Sequence, residues 1–335
     1  MLAQLGEGTV APNPMVGAVL VHQDRIIGEG YHQKWGEAHA EVNCIRSVAE
    51  EDRHLIPQST IYVSLEPCAH VGKTPPCADL IIAQQIPKVV VGCRDPFTLV
   101  AGKGIEKLQA AGIEVVVGAL EKKCIELNKR FFTIHTAHRP YITLKWAQTA
   151  DGKIANGNYS RIRISNEYTN RLVHQWRSQE MAILVGTNTA LFDNPELTTR
   201  LWPGPNPIRL VVDMNLRLPA SLKLFDGEHK TIVFNQLRHQ EHHNLLYYQV
   251  TTDTSLVHQV VHALYQLKIH SVLVEGGAQL LQSFIDEGMW DEARVITNEQ
   301  LIVGTGLPAP QLHHHALKSA EPVFSDTIRT YTYQP

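Results

Sequence analysis

No stretch of this 335-residue sequence stays apolar for the roughly 20 positions that would carry a helix across a bilayer. The start also lacks the charged and apolar segments of a secretory signal, so a cytoplasmic protein without a membrane partner is expected. Runs of Lys and Arg are missing, and the formal net charge is only -3, which weighs against a polymeric nucleic-acid partner. No Gly-x-Gly-x-x-Gly follows a strand-like segment, so the ordinary dinucleotide fingerprint is absent. Cysteine is scarce: the five residues Cys44, Cys68, Cys77, Cys93 and Cys124 are odd in number and form no disulfide-like framework. A reducing compartment suits them.

Against that background three fragments stand out: His39-Ala40-Glu41, Pro67-Cys68, and Cys77. One imidazole and two thiolates supply three corners of a zinc tetrahedron and leave the fourth open for water. Zinc held this way brings the pKa of its water down to about 7, and a carboxylate that is not a ligand can move the protons. Glu41, two residues from His39, is that carboxylate if both sit at a helix start. Val42, Ile45 and Val48 then recur at helical spacing. A helix starting at Pro67 would lend its amide dipole to the Cys68 thiolate. A closed structural site needs a fourth protein ligand, for which the spares are His32, His70 and Cys93. Eight residues separate the two cysteines, where zinc deaminases commonly carry a short Cys-x-x-Cys, so a long-loop variety is indicated.

The chain is comfortable for two domains. Strands are expected between Val16 and Ile27, with a turn at His22 to Arg25, and again over Ser59–Leu65, Lys88–Gly92 and Ile113–Val117. Helices are expected over Ala78–Gln85, Ile105–Ala111 and Glu121–Thr133. The opening residues look like the tail of a helix. A break at Ala137 to Pro140 puts a boundary near residue 138, giving domains 1–138 and 139–335. The α/β rhythm then restarts, with strands at Tyr141, Ala182, Ile208, Thr231, Ser271 and Asp291, and helices over Asn166–Gln179, Leu256–Leu267 and Gln279–Glu287. The clustered histidines His239, His242, His243 and His313 to His315 read as solvated loops.

With Pro12-Asn13-Pro14-Met15-Val16-Gly17, His39-Ala40-Glu41, the run Glu66 to Cys77 and Ala101-Gly102-Lys103-Gly104 in hand, the chain resembles the bifunctional deaminase-reductases of riboflavin biosynthesis over nearly its whole length. That resemblance implies an α/β protein with an N-terminal cytidine-deaminase-like three-layer domain and a C-terminal dihydrofolate-reductase-like domain. It implies a small phosphoribosyl pyrimidine substrate, 2,5-diamino-6-(5-phosphoribosylamino)pyrimidin-4-one, deaminated with one Zn2+ per chain. Matching positions make Asn13, His70 and Lys73 substrate contacts. Taken alone these residues read equally well as a turn asparagine, a loop histidine and a surface lysine.

The second half matches through Lys145 to Lys153, Gly186 to Thr198 and Val274-Glu275-Gly276-Gly277. There the resemblance implies NADPH-dependent reduction of ribosyl to ribityl. Ala147, Thr189, Asp193 and the loop Gly277-Ala278-Gln279-Leu280-Leu281-Gln282-Ser283 are then expected along the cofactor, and Ser160, Arg177, Leu197, Arg200 and Glu275 toward the substrate. Arg177 and Arg200 suit phosphate, which guanidinium binds in a bidentate fork. Ile162-Arg163-Ile164-Ser165 departs from the family's Trp-Ile-Thr type of triplet; Arg163 either meets the cofactor's 2'-phosphate or is exposed. Self-association through the second domain is also implied. The competing readings are a nucleoside or RNA-base deaminase with an appended binding domain, and a non-catalytic zinc module.

Overall fold

The computed structural model describes residues 2–70, 75–97, 101–157 and 162–335. They form two compact units, Met1–His138 and Arg139–Pro335.

In the first unit a 3-10 turn at Leu2–Gly6 precedes the hairpin of β1 (Gly17–His22) and β2 (Arg25–Tyr31). Its turn residues Gln23 and Asp24 have φ of 45° and 64°, the left-handed conformation that matches a tight turn to the twist of its strands. The chain continues through α1 (Ala40–Arg46), a 3-10 segment over Glu50–Gln58, β3 (Thr60–Leu65), α2 (Cys77–Ala83) and β4 (Lys88–Cys93). It ends with α3 (Lys103–Ala110), β5 (Glu114–Val117), α4 (Glu121–Leu127) and α5 (Lys129–Thr136). The sheet order is β2-β1-β3-β4-β5, with β3, β4 and β5 parallel. Val89 and Val91 of β4 enter one apolar cluster with Ile81 of α2 and Leu108 of α3. Gly92 points the other way, with the Cys124 sulfur of α4 close over it. Helices therefore cover both faces, giving three layers.

The single helix expected over Glu121–Thr133 is two, broken at Asn128. Asn128 is buried, and its amide pairs with the backbone of Met15: Oδ1 accepts from Met15 N at 2.8 Å, and Nδ2 donates to Met15 O at 2.9 Å. Apolar spacing runs across the break, so the sequence pattern hides it. The tertiary bond that fixes the Asn13 loop decides the local structure.

The second unit begins with β6 (Tyr141–Thr149), β7 (Lys153–Asn156), α6 (Glu167–Gln179), β8 (Ala182–Gly186), α7 (Thr187–Asp193) and β9 (Ile208–Val212). Then come β10 (Thr231–Asn235), β11 (Gln240–His242), β12 (Leu245–Gln249), α8 (Leu256–Gln266), β13 (Ser271–Glu275) and α9 (Ala278–Asp286). The last strands are β14 (Glu292–Asn298), β15 (Gly306–Pro308), β16 (His315–Val323) and β17 (Asp326–Tyr333). Ten of them form one sheet in the order β11-β12-β10-β9-β8-β13-β6-β14-β17-β16, while β7 and β15 pair separately. All five residues of β13 are buried between its parallel neighbours β6 and β8. This is the continuous apolar run that a strand covered on both faces needs.

Asn166 caps α6 by accepting from Thr169 N, which accounts for the helix start. The helix α7 and the β16–β17 hairpin were not expected. Strand β16 is an edge strand exposed at most positions, so it carries no inward apolar face for a pattern to reveal. Among the described residues no helix is long and apolar enough to cross a membrane.

Candidate active sites

The first site gathers at the C-terminal end of β3 and the start of α1. His39 is the N-cap residue of α1, in extended conformation, and Glu41 lies in the helix's first turn. The imidazole Nδ1 of His39 stands 3.6 Å from Cys68 Sγ and 3.3 Å from Cys77 Sγ. Zinc with bonds of about 2.0–2.3 Å to nitrogen and sulfur sets ligand atoms about 3.6 Å apart, so the donor set fits the metal. Among the described residues no fourth His, Cys, Asp or Glu joins this cluster. Neither His32 nor Cys93 is a ligand, and His70 is exposed. Lys73 lies outside the described residues.

No helix starts at Pro67; the helix expected over Ala78–Gln85 is α2, which starts at Cys77. Its dipole nevertheless reaches Cys68, because the Cys77 amide, first in α2, donates to Cys68 Sγ at 3.3 Å. The Cys68 thiol is pulled down to about 4, first by the Cys77 side chain against the cost of burial, then by His39 and that amide. Cys77 is pushed up by the Cys68 sulfur and by burial. Two adjoining sulfurs share a proton until a cation takes its place, which is the behaviour of a metal site.

Glu66 explains why the loop holds its shape. It is buried, and its carboxylate accepts four backbone amides: Gly102 and Gly104 at 3.0 Å, and Asp95 and Ile105 at 3.3 Å. Among the described residues no ion pair reaches it; backbone amides, three of them at the start of α3, do that work. Charge-assisted bonds of roughly 1.5–3 kcal/mol each offset a desolvation cost of several kcal/mol only because there are four of them. Gly104 is required by close approach, since a Cβ there would lie 1.9 Å from the Pro67 carbonyl oxygen. The fragments Glu66-Pro67-Cys68 and Ala101 to Gly104 are thus one unit in space.

Glu41 is buried beside the cluster, in electrostatic contact with His39 and Cys77 without belonging to the ligand set. Burial pushes its carboxyl above the usual range, suiting a group that takes up and returns a proton. His32 is also buried: its Nδ1 is 3.1 Å from the Ala38 carbonyl oxygen, its Nε2 is 3.2 Å from Asn13 Nδ2, and its ring meets His39 edge-on at 5.5 Å. The sequence reading missed Glu66, His32 and Asn128 as organisers. Each acts through contacts distant in the chain, which leave no local signal in the sequence.

In the second unit, Glu275 closes β13 and is buried. Arg177 of α6 donates to it through Nε at 3.0 Å and Nη2 at 2.9 Å, and Lys145 of β6 donates through Nζ at 3.0 Å. Burial pushes the Glu275 carboxyl up, but the guanidinium and ammonium outweigh it and hold the group well below the usual carboxylate range. Lys145 had no assigned role, although a lysine inside the apolar run Tyr141–Trp146 was a visible signal. Arg177 Nη1 also donates to the Thr198 carbonyl at 3.3 Å, and Arg200 Nη1 to Thr198 Oγ1 at 3.3 Å. Buried Leu197, held at φ 56°, belongs to the same segment. These residues, expected toward the substrate, converge; Ser160 lies outside the described residues.

Gly276 and Gly277 follow Glu275 with φ of 84° and 75° and pack against Thr189 of α7, where a Cβ on Gly276 would stand 3.0 Å from Thr189 Cγ2. Asp193 ends α7. The expected loop Gly277–Ser283 is a turn only at Gly277; Ala278 to Ser283 form the start of α9, where their amides can face an anion. Leu281 is buried in the core, and Ser283 Oγ donates to the Gln279 carbonyl within the helix. Ala147 is half-buried on β6. Arg163 is exposed and reaches Glu167 at 3.5 Å.

In a further cluster Asp226 and Glu228 are exposed and His229 is half-buried, and Asp226 is committed to the buried Arg209. The clustered histidines form no metal group among the described residues.

Residues 2–93 match the family model described as the cytidine and deoxycytidylate deaminase zinc-binding region, and residues 140–313 match the RibD C-terminal domain. The chain is 42% identical over 311 residues to the riboflavin biosynthesis protein RibD of Aquifex aeolicus, covering 91% of this chain and 86% of that protein. It is 40% identical to the protein of that name from Bacillus amyloliquefaciens, covering 92% and 84%. Among solved structures, the diaminohydroxyphosphoribosylaminopyrimidine deaminase/5-amino-6-(5-phosphoribosylamino)uracil reductase of Thermotoga maritima is similar with a TM-score of 0.89 and 37% identity, over 99% of this chain and 95% of that one. RibD of Acinetobacter baumannii is similar with a TM-score of 0.88 and 30% identity, covering 99% and 95%.

Two outcomes follow from this geometry. Replacing Glu66 by Gln sets an NH2 group against amides that need an acceptor. We expect a loss of about 3 kcal/mol in the first unit, read by urea unfolding, together with lowered zinc content by metal analysis. Glu275→Gln removes a carboxylate whose folded pKa is depressed. Such a group stabilises above its unfolded pKa, about 4.3, and the contribution fades as pH falls below it. The gap in urea midpoint between wild type and variant should therefore be wide at pH 7 and narrower at pH 3.5.

Proposed function

The chain belongs to the RibD family of riboflavin biosynthesis proteins, and from that premise we propose that its two units perform consecutive steps on one small phosphoribosyl pyrimidine. The first unit deaminates 2,5-diamino-6-(5-phosphoribosylamino)pyrimidin-4-one, exchanging the 2-amino group for oxygen with release of ammonia. The second reduces the resulting 5-amino-6-(5-phosphoribosylamino)uracil, opening ribosyl to ribityl at the expense of NADPH. The observation that carries this reading is a three-ligand zinc cluster with a buried carboxylate beside it, on a chain whose other half is a reductase of this family.

His39, Cys68 and Cys77 hold one zinc per chain, which when bound supplies a water acidified toward neutral pH. Glu41 accepts one proton of the attacking water and passes it to the ring nitrogen, then carries the second, from the hydroxyl of the adduct, to the amino group, which leaves as ammonia as the C–N bond breaks and the carbonyl forms. Asn13 orients the pyrimidine, while His70 and Lys73 meet its outer part, with Lys73 offering a point charge to phosphate. In the second unit NADPH, when bound, supplies the hydride, and the protein's task is positioning. Thr189, Asp193, Ala147 and the Gly277 turn with the opening of α9 take the cofactor. Arg177, Arg200, Leu197, Ser160 and Glu275 take the substrate, the two guanidinium groups suiting its phosphate. The free thiols suit a cytoplasmic setting. Self-association through the second unit is supported by the exposed Tyr168–Phe324 stack and by exposed Leu317 on edge strand β16.

The test supplies the pyrimidine phosphate with and without NADPH and follows ammonia together with nicotinamide absorbance. Ammonia in both arms, and cofactor oxidation only after deamination, is the expected result; no ammonia from this substrate would sink the reading. Glu41→Gln should keep its zinc and lose deamination by at least about 10²-fold, and normal ammonia release would remove Glu41 from the proton path. Asp193→Ala should weaken NADPH binding roughly tenfold while deamination survives, and an unchanged fluorescence titration would defeat that assignment.

A further inference from the structure

We propose that His32 is a positioning residue for the deamination: it holds the Asn13 side chain by its NH2 group, so that Asn13 turns its carbonyl oxygen toward the pyrimidine. This rests on the deaminase reading above.

The backbone of Asn13 is already fixed. Prolines flank it, its amide donates to the Val10 carbonyl at 2.9 Å, and Asn128 clamps Met15 two residues on. What remains open is the last torsion of its side chain. That torsion is broad and nearly two-fold, so the side chain itself has little preference over which of its ends, acceptor or donor, faces outward. A neighbour must choose.

His32 can choose because its own state is fixed from behind. The Ala38 carbonyl, 3.1 Å from Nδ1, can only accept, so Nδ1 carries the proton. In a neutral ring Nε2 is then a lone pair. Facing it at 3.2 Å, Asn13 must present Nδ2, which leaves Oδ1 for the ligand. Turning the amide over would set two acceptors against each other. Moving the ring proton to Nε2 would only shift the same conflict to Ala38. An imidazolium would satisfy both contacts, but His32 is 3% exposed, its hydrogen-bond partners are an amide and a carbonyl, and burial disfavours the charge more than nearby Glu37 favours it. The chain of one carbonyl, one imidazole and one amide thus converts a backbone position into a defined acceptor. Asn13 Oδ1 then demands an N–H or O–H donor on the substrate, and a ligand presenting only a lone pair there is refused.

The test uses the zinc-loaded full-length protein. His32→Asn keeps an amide that can reach Ala38 but removes the acceptor at the Nε2 position; His32→Gln places an amide oxygen there. His32→Asn should raise KM for deamination about tenfold with kcat changed much less, and His32→Gln should recover most of the loss. In an Asn13→Ala background His32→Asn should cost nothing further, because the residue it acts through is gone. Nitrogen-15 NMR, assigned by difference from His32→Gln, should find the His32 proton on Nδ1. A proton on Nε2, a penalty that persists in the Asn13→Ala background, or loss of zinc from His32→Asn would each overturn the proposal. If wild type releases no ammonia, the deaminase reading fails, and the NMR measurement still decides the His32 state.

Discussion

A buried carboxylate bound by backbone amides, Glu66, is the constraint on which the first site depends. It directly follows β3, and the next two residues are Pro67 and Cys68 of the candidate zinc cluster. Because its partners are backbone amides of Asp95, Gly102, Gly104 and Ile105, it ties the end of one strand to the start of α3 across the chain after β4. Backbone donors cannot rotate away as side chains can, so the position of Cys68 is inherited from the sheet and helix framework. A metal site needs that rigidity, since ligand atoms displaced by even half an ångström lose coordination geometry.

The second unit uses a carboxylate in the same structural place to a different end. Glu275 finishes a strand at the sheet's interior, but its partners are Arg177 and Lys145, so the cluster carries a net positive charge. The distinction follows from what each site must hold. Around Glu66 neutral donors leave the thiolates of the zinc loop as the charges a dication meets. Around Glu275 a surplus cation suits an anionic phosphoribosyl compound and a phosphate-bearing cofactor, the ligands proposed for this unit. The glycine pair after Glu275, both at positive φ, then turns the chain into α9 so that the helix start and the charged cluster share one edge of the sheet.

How much of this was legible follows from which residues carry local signals. The ligand cluster was legible because zinc chemistry restricts residue types: His39, Cys68 and Cys77 have no common alternative partner set. Strands β3 and β13 were legible through β-branched and apolar runs with clear ends. What stayed hidden was decided by long-range polar contacts. Asn128 breaks a helix to reach Met15, 113 residues away in sequence, and Glu66 binds amides up to 39 positions on. Neither changes hydrophobic periodicity, so neither leaves a trace in it. The β16–β17 hairpin escaped for the opposite reason, an edge position where a strand need not bury either face.

The polar organisers also share a logic that separates them from the groups they serve. Glu66, His32 and Asn128 are buried, and each is satisfied mainly by backbone groups: amides for Glu66, the Ala38 carbonyl for His32, both polar atoms of Met15 for Asn128. Backbone partners fix the donor or acceptor state of a side chain without adding a charge that could titrate. A residue held this way can hand on a defined state to the next one outward. Cys68 receives a fixed position from Glu66, and Asn13 receives a fixed backbone from Asn128 and a fixed amide direction from His32. Reactive groups at the centre can then carry unusual proton affinities, as Cys68 and Glu41 do, while the scaffold around them stays electrically quiet.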